Sequence, residues 1–337
     1  MKRKDTMKVD YHVHLEEGPY SIEWLARTGK ALSFFSDDRG HTYEWMESMA
    51  DKLNSRIKEG CFSTEWLDLY LERAGRLGLK EVGIVDHLYR FSDAGEYYRK
   101  HIYLQNDKLG KMQQKWLDQV AVMPSMEQFV EFIQSQKMKW EKHGIKLKLG
   151  LEADFFPNGE AELAGIINQQ PWDYVIGSVH FIDGWGFDNP ETMDKFERED
   201  LIALYGTHAA HICQAIESGL FDIIAHLDNL KVFSYRPDEG LLEKYYEKVA
   251  VTLKKYGVAS EINTGLSYRY PIKEACPSPK YLQKLAEQKI PVTLSSDAHY
   301  PDDLGTNLDM ATDLLRKNGY ENISIFSKRK RKEISIL

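Results

Sequence analysis

Val9-Asp10-Tyr11-His12-Val13-His14 is a short apolar run with two imidazoles at its far end. In an extended strand, residues i and i+2 point to the same face, so both rings can reach one point. Five further runs repeat the design: Gly83-Ile84-Val85-Asp86-His87, Leu147-Lys148-Leu149-Gly150-Leu151-Glu152, Ile176-Gly177-Ser178-Val179-His180, Asp222-Ile223-Ile224-Ala225-His226 and Leu294-Ser295-Ser296-Asp297-Ala298-His299. One apolar run ending in His is ordinary. Six ending in His, Glu or Asp imply strands of one sheet that deliver ligands to one place. The implied site is a multinuclear metal centre, and the implied chemistry is hydrolysis.

The runs are rich in Val, Ile and Leu and bounded by Gly, Asp and Asn, as buried parallel strands are. Val258-Ala259-Ser260-Glu261-Ile262-Asn263 brings the count to about seven. Helical periodicity fills the intervals at 65–74, 126–143, 197–218, 239–256, 278–288 and 307–317. Ser125 is an N-cap candidate, Pro279 suits a first helical position, and glycines 75 or 78, 219, 257 and 319 mark the ends. Repeated strand–helix alternation predicts a parallel α/β fold. Functional groups at the ends of six strands favour a barrel over an open sheet, which binds at one switch point.

The expected organisation is one domain over residues 1–337, with insertions at about 19–60 and 90–123. Both insertions are polar and aromatic, and both follow a strand that carries a ligand candidate. They are therefore expected on the active-site face, as lids or as decoration. The run Lys328-Arg329-Lys330-Arg331-Lys332 reads as a solvated end.

Net charge of −8 and an acidic pI exclude a general nucleic-acid surface while leaving room for a local anion pocket. Three widely spaced cysteines form neither a CxxC pair nor a disulfide framework, so a reducing cytoplasm is expected. Met1-Lys2-Arg3-Lys4 is basic, but no apolar stretch of signal-peptide type follows, and no run is long enough for a membrane helix. The sequence is silent on oligomeric state.

His12 with His14, and Asp297 with His299, are in-phase pairs. Glu152 offers two oxygens and can bridge two cations. His180 and His226 each end a strand, and His87 is a better ligand candidate than Asp86, which would orient a neighbour. His208 and His211 share a helix face and read as surface or packing residues.

The order HxH, DH, Glu, SVH, AH and DAH resembles the polymerase and histidinol phosphatase (PHP) superfamily. The stretches from Asp173 to Ile182, Glu261 to Gly265 with Arg269 and Glu274, and Ser295 to Gly305 are similar to its histidinol-phosphatase branch. The resemblance implies a distorted (β/α)7 TIM-like barrel with a trinuclear site. By position it implies His12, His14, Glu152 and Asp297 at a first metal. His87 and His299 would contribute to a second, and Glu152, His180 and His226 would hold a third. The family has a further His six residues after the second His of HxH; here that position is Tyr20, with Glu16 and Glu17 nearby as substitutes.

The implied activity is a metal-dependent phosphomonoesterase, with histidinol phosphate as the leading substrate. Another monoester, a diester or a nucleotide is the alternative, and a non-catalytic metal-binding module the second alternative. Two or three divalent ions are expected. A nitrogen and oxygen donor set without thiolates suits Zn, Mn or Fe. The expected nucleophile is a metal-bound hydroxide, with Asp297 or His226 managing its proton. Arg269 is the first candidate phosphate clamp and Arg90 the second. The bland alternative for Arg269 is a surface pair with Glu274. Glu16, Glu17 and Asp183 are candidates for the amine and imidazole of histidinol.

Overall fold

The computed structural model describes residues 7–36 and 42–337. The basic stretch at residues 1–4 and His41 lie outside them. The strands run β1 (Lys8–Val13), β2 (Leu79–Ile84), β3 (Lys146–Asp154), β4 (Tyr174–Ser178), a small antiparallel pair β5 (Phe181–Ile182) and β6 (Trp185–Gly186), then β7 (Ile223–Ile224), β8 (Ala259–Asn263), β9 (Val292–Ser295), β10 (Asn322–Ser327) and β11 (Lys330–Ser335). Seven of them form one sheet in the order β1-β2-β3-β4-β7-β8-β9, with every pairing parallel. The His14 amide donates to the Ala298 carbonyl at 2.8 Å, just past the ends of β1 and β9, so the sheet nearly closes. The expected seven-stranded α/β barrel is the observed architecture.

Between β1 and β2 lie α1 (Ile22–Phe34), α2 (Tyr43–Glu59) and α3 (Thr64–Leu77), and between β2 and β3 lie α4 (Gly95–His101), α5 (Lys108–Val120) and α6 (Met126–Lys142). Then come α7 (Glu160–Ile167), α8 (Leu201–Glu217), α9 (Glu239–Tyr256), α10 (Gly265–Arg269), α11 (Pro279–Glu287) and α12 (Leu308–Lys317). The caps follow local chemistry. Ser125 accepts from the Gln128 amide in a capping box, Ser278 caps α11 ahead of Pro279, and Gly257 ends α9 at φ 69°. One helix is shorter than its periodicity implied: α8 begins at Leu201, because Asp200 caps it and residues Pro190–Arg198 wind as a 3-10 turn.

Two findings add to the linear reading. The stretches 19–60 and 90–123 are built largely of helices, α1 with α2 and α4 with α5. The Lys328–Lys332 run is solvated as expected, exposed at all but Arg329, but it belongs to a hairpin. Lys328 and Arg329, both at positive φ, form the two-residue turn of the β10–β11 hairpin. Arg329 pairs with Asp222, and its guanidinium also donates to the Leu220 carbonyl at 2.6 Å. No helix among the described residues is long and apolar enough to cross a membrane.

Candidate metal centre

All eight residues singled out as ligand candidates lie at the C-terminal mouth of the barrel strands, and all are buried. Glu152, on β3, stands at their centre. One carboxylate oxygen lies 3.1 Å from His12 Nε2, 3.4 Å from His14 Nε2 and 2.8 Å from His87 Nδ1. The other is 3.2 Å from His226 Nε2 and 3.7 Å from His180 Nε2. Asp297 Oδ1 lies 3.5 Å from His14 Nε2 and 3.1 Å from His299 Nε2.

Three clusters have donor atoms close enough to share an ion: His12, His14 and Asp297; His14, His87 and His299; and His87, Glu152 and His180. The first holds three of the four residues implied by resemblance at one ion, without Glu152. In the second His14 joins His87 and His299, and in the third His87 stands with Glu152 and His180 in place of His226.

His226 Nε2 and His299 Nε2 are within hydrogen-bond geometry of Glu152 and Asp297, but the contacts to Glu152 Oε2 are not hydrogen bonds. His12 Nε2, His14 Nε2, His87 Nδ1 and Glu152 Oε2 are buried and make no aligned hydrogen bond. Buried polar atoms are normally satisfied. Lone pairs that converge without donating to one another suit divalent cations, and the residues present therefore fit a metal cluster.

Neighbouring carboxylates fix the rings. Glu261 lies 3.0 Å from His12 Nδ1, and Asp154 lies 2.8 Å from His180 Nδ1 while accepting from the Tyr98 hydroxyl at 2.9 Å. Occupying Nδ1 leaves Nε2 free to ligate. Burial alone would lower the His12 pKa, but Glu261, Glu152 and Asp297 outweigh it and hold the ring well above its ordinary value. For His180, burial is outweighed by Asp154, and the pKa is pushed up to about 10. Burial would raise Asp297, but Arg269 and His12 hold its carboxyl well below the usual range. Asp297 is thus a standing carboxylate. It sits at φ 54°, in the left-handed region that Asp tolerates better than most residues. A Cβ on the adjacent Gly265 would come within 2.8 Å of Asp297 Oδ2, so the backbone there passes too close for any side chain.

Tyr20 is half exposed, its ring edge against Trp24. Glu16 turns away into a buried pair with Arg56 at 2.8 Å. Glu17 faces the cluster instead, with Oε2 2.6 Å from His299 Nδ1. Arg269 lies 3.0 Å from Asp297 and lines a cavity of about 370 Å³ over the centre. Glu274 is engaged elsewhere, by Lys231 and Arg236, each at 2.6 Å, so the surface pair with Arg269 does not form. Arg90 does not line that cavity. It is buried beneath Gly18, where a Cβ would stand 2.7 Å from its guanidinium. Asp183 is exposed, near His211. Linear reading missed Asp154, Glu261 as a partner of His12, and Asp188 in the cavity wall. Asp154 was findable, because it is in phase with Glu152 on one strand.

Residues 61–265 match the model of the PHP domain. The chain belongs to the PHP family. A probable histidinol-phosphatase of Deinococcus radiodurans is 37% identical over 218 residues, which is 64% of this chain and 82% of that protein. A histidinol-phosphatase of Lactococcus lactis is 28% identical over 203 residues, 56% of this chain and 71% of its own. The crystal structure of the histidinol phosphate phosphatase of L. lactis, complexed with zinc, L-histidinol and phosphate, superposes with a TM-score of 0.63 at 17% identity, covering 96% of this chain and 98% of that one. These PHP homologues bear out the reading of the chain as a phosphatase, and the structural likeness bears out the PHP barrel.

Proposed function

We propose that the chain hydrolyses phosphate monoesters with bound divalent ions, and that histidinol phosphate is its substrate. The observation that carries the reading is the convergence of eight imidazoles and carboxylates on one barrel mouth beside a cationic guanidinium. His12, His14 and Asp297 would hold one ion, His87 and His299 a second, and His180 and His226 a third, with Glu152 shared among them. Glu17 takes the role of the family's missing histidine at the second ion. When bound, such ions supply an activated water and neutralise charge on the phosphate.

The chain's own residues do the rest. Arg269 holds Asp297 through one end of its fork, and its buried Nε has no hydrogen-bond partner, which leaves a donor for a phosphate oxygen. Glu261 and Asp154 keep His12 and His180 in the tautomer that presents Nε2. Asp297, ionised and beside His299, is placed to take the proton of the attacking water. His226, as a ligand through Nε2, has no proton to give there, so the carboxyl of Asp297 returns the proton to the departing alcohol. Three free, buried cysteines suit a cytoplasmic setting.

The test is elemental analysis joined to phosphate release from a panel of monoesters and diesters with Zn, Mn or Fe added. The expected result is two or three ions per chain and fastest release from histidinol phosphate. Loss of metal from His12→Ala and Glu152→Ala, and of one equivalent from Glu17→Gln, is the accompanying expectation. Unchanged stoichiometry in all three variants would sink the ligand assignment.

A further inference from the structure

The barrel closes at a seam. β1 and β9 are the two ends of the sheet order, and an isolated bridge between Val13 and Ala298 joins them in place of a ladder. Residues assigned to the second ion come from both sides of this seam. His14 and Glu17 follow β1, and His299 follows β9. The Glu17 carboxylate lies 2.6 Å from His299 Nδ1, and the rings of His14 and His299 stack with centroids 4.3 Å apart. Glu17 and His299 line the cavity over the centre and also a second one, of about 480 Å³, so neither is wedged in place by core on all sides. Their spacing must be set by the two segments that carry them.

Arg27 joins those segments. It lies in α1, in the first insertion, and its Nη1 donates to Asp302 Oδ1 at 2.9 Å while Nη2 pairs with Asp303 Oδ2 at 2.8 Å. Both carboxylates belong to the 3-10 turn Pro301–Asp303, which starts two residues past His299. The same guanidinium lies over the Tyr300 ring, 4.1 Å from its centroid. One planar fork thus grips three side chains of a single turn, a geometry open to Arg and not to Lys. All three charged side chains are mostly buried, so solvent ions screen the pairs weakly. On the β1 side, Glu16 is already held by Arg56 of α2. Trp66 of α3 meets Tyr300 edge-on, so the turn keeps an anchor of its own when the fork is removed.

We infer that Arg27 is a positioning residue for the second ion: it fixes the turn after β9 against α1 and so sets the distance between Glu17 and His299 across the seam. Among the described residues it bonds to none of the ligands and acts only through the segments that carry them. This role rests on the metal reading of the site and gives the first insertion a task besides lid or decoration.

The experiment titrates zinc, and in parallel manganese, into metal-free wild type and Arg27→Gln against a chromophoric chelator, with elemental analysis of the ions retained. In the variant one ion should bind about 10- to 100-fold more weakly, the usual cost of losing an outer support of a metal ligand. The other ions should bind as in wild type. Glu17→Gln, which removes a ligand of that ion, identifies it. Adding Arg27→Gln to Glu17→Gln should change neither the stoichiometry nor the affinity of the ions that remain, because the two substitutions act on one site. Asp302→Asn takes away one arm of the grip and should weaken the same ion by a smaller factor, which supplies the readout if Arg27→Gln does not fold. Equal weakening of every ion overturns this role, as does unchanged affinity beside lost stability in urea melts. A further loss of metal in the double variant overturns it too. Each of those results leaves the ligand assignment standing. A wild type that takes up neither zinc nor manganese ends the metal reading of the site, and the role of Arg27 with it.

Discussion

Arg269 shows how one side chain can serve two parts of the site. It faces the cavity from the end of α10, while Glu274, five residues on, is held by Lys231 and Arg236. Lys231 is fully buried and also donates to Asp228 at 2.8 Å and to the Ala275 carbonyl at 2.8 Å. That network anchors the segment after α10 and leaves the guanidinium to Asp297 and the cavity. In Arg269→Lys the charge survives and the planar fork does not. The expected loss is about 2–4 kcal/mol in transition-state stabilisation, or roughly 30- to 1,000-fold in kcat/KM, with metal content unchanged. Steady-state kinetics beside elemental analysis checks it. Wild-type kinetics in Arg269→Ala would remove the residue from the site.

At the scale of elements, α8 packs against α9, β5 and β7, and its packing carries a pH signature. His208 is buried, edge-on to Phe187 with ring centroids 5.5 Å apart. Burial, and then the neighbouring His211, pulls its pKa from the ordinary 6.5 down to about 3. Between those values the unfolded chain binds a proton that the folded chain refuses, so stability falls as pH falls through this window. The loss attributable to this ring is about 2 kcal/mol between pH 8 and pH 5. Urea denaturation of wild type and His208→Gln across that range should show the wild type losing this much more than the variant. Parallel curves would mean that the ring is not buried neutral.

The same scale explains what could be read in advance. The in-phase rule found His12 with His14 and Asp297 with His299, because alternation along a strand is written in the sequence. Applied to β3, it would also have joined Asp154 to Glu152. The β10–β11 hairpin was hidden for a physical reason. Its two turn residues need positive φ, a position usually marked by Asn-Gly, and here Lys328 and Arg329 occupy it. Asp188 was beyond reach, because it meets the metal cluster only through the fold of the β5–β6 hairpin.

At the scale of the whole molecule, the barrel has a working mouth and a plugged end. The hairpin makes the plug. The Tyr11 hydroxyl, from the middle of β1, accepts from the Phe326 amide at 3.0 Å, and the Phe326 ring packs against Tyr11 and Tyr174 with centroids 5.9 Å and 5.8 Å away. The Arg329 amide donates to the Asp173 carbonyl, just before β4, at 2.8 Å. Ile323, Phe326 and Ile336 are buried in the same hydrophobic core as the strands. In a barrel of this kind, residues at the N-terminal end serve stability, whereas those at the C-terminal end serve chemistry. Phe326→Ala should therefore separate the two. It removes a large buried ring and leaves a cavity, at an expected cost of about 3–5 kcal/mol. Thermal or urea melts should register that loss, while metal content and kcat/KM, measured where the variant is still folded, stay within about twofold of wild type, because the ring packs on the Tyr11 side chain and not on the ligand set. A variant that keeps its stability would mean that the hairpin is not part of the core. A stable variant that loses metal would mean that the two ends of the barrel are coupled.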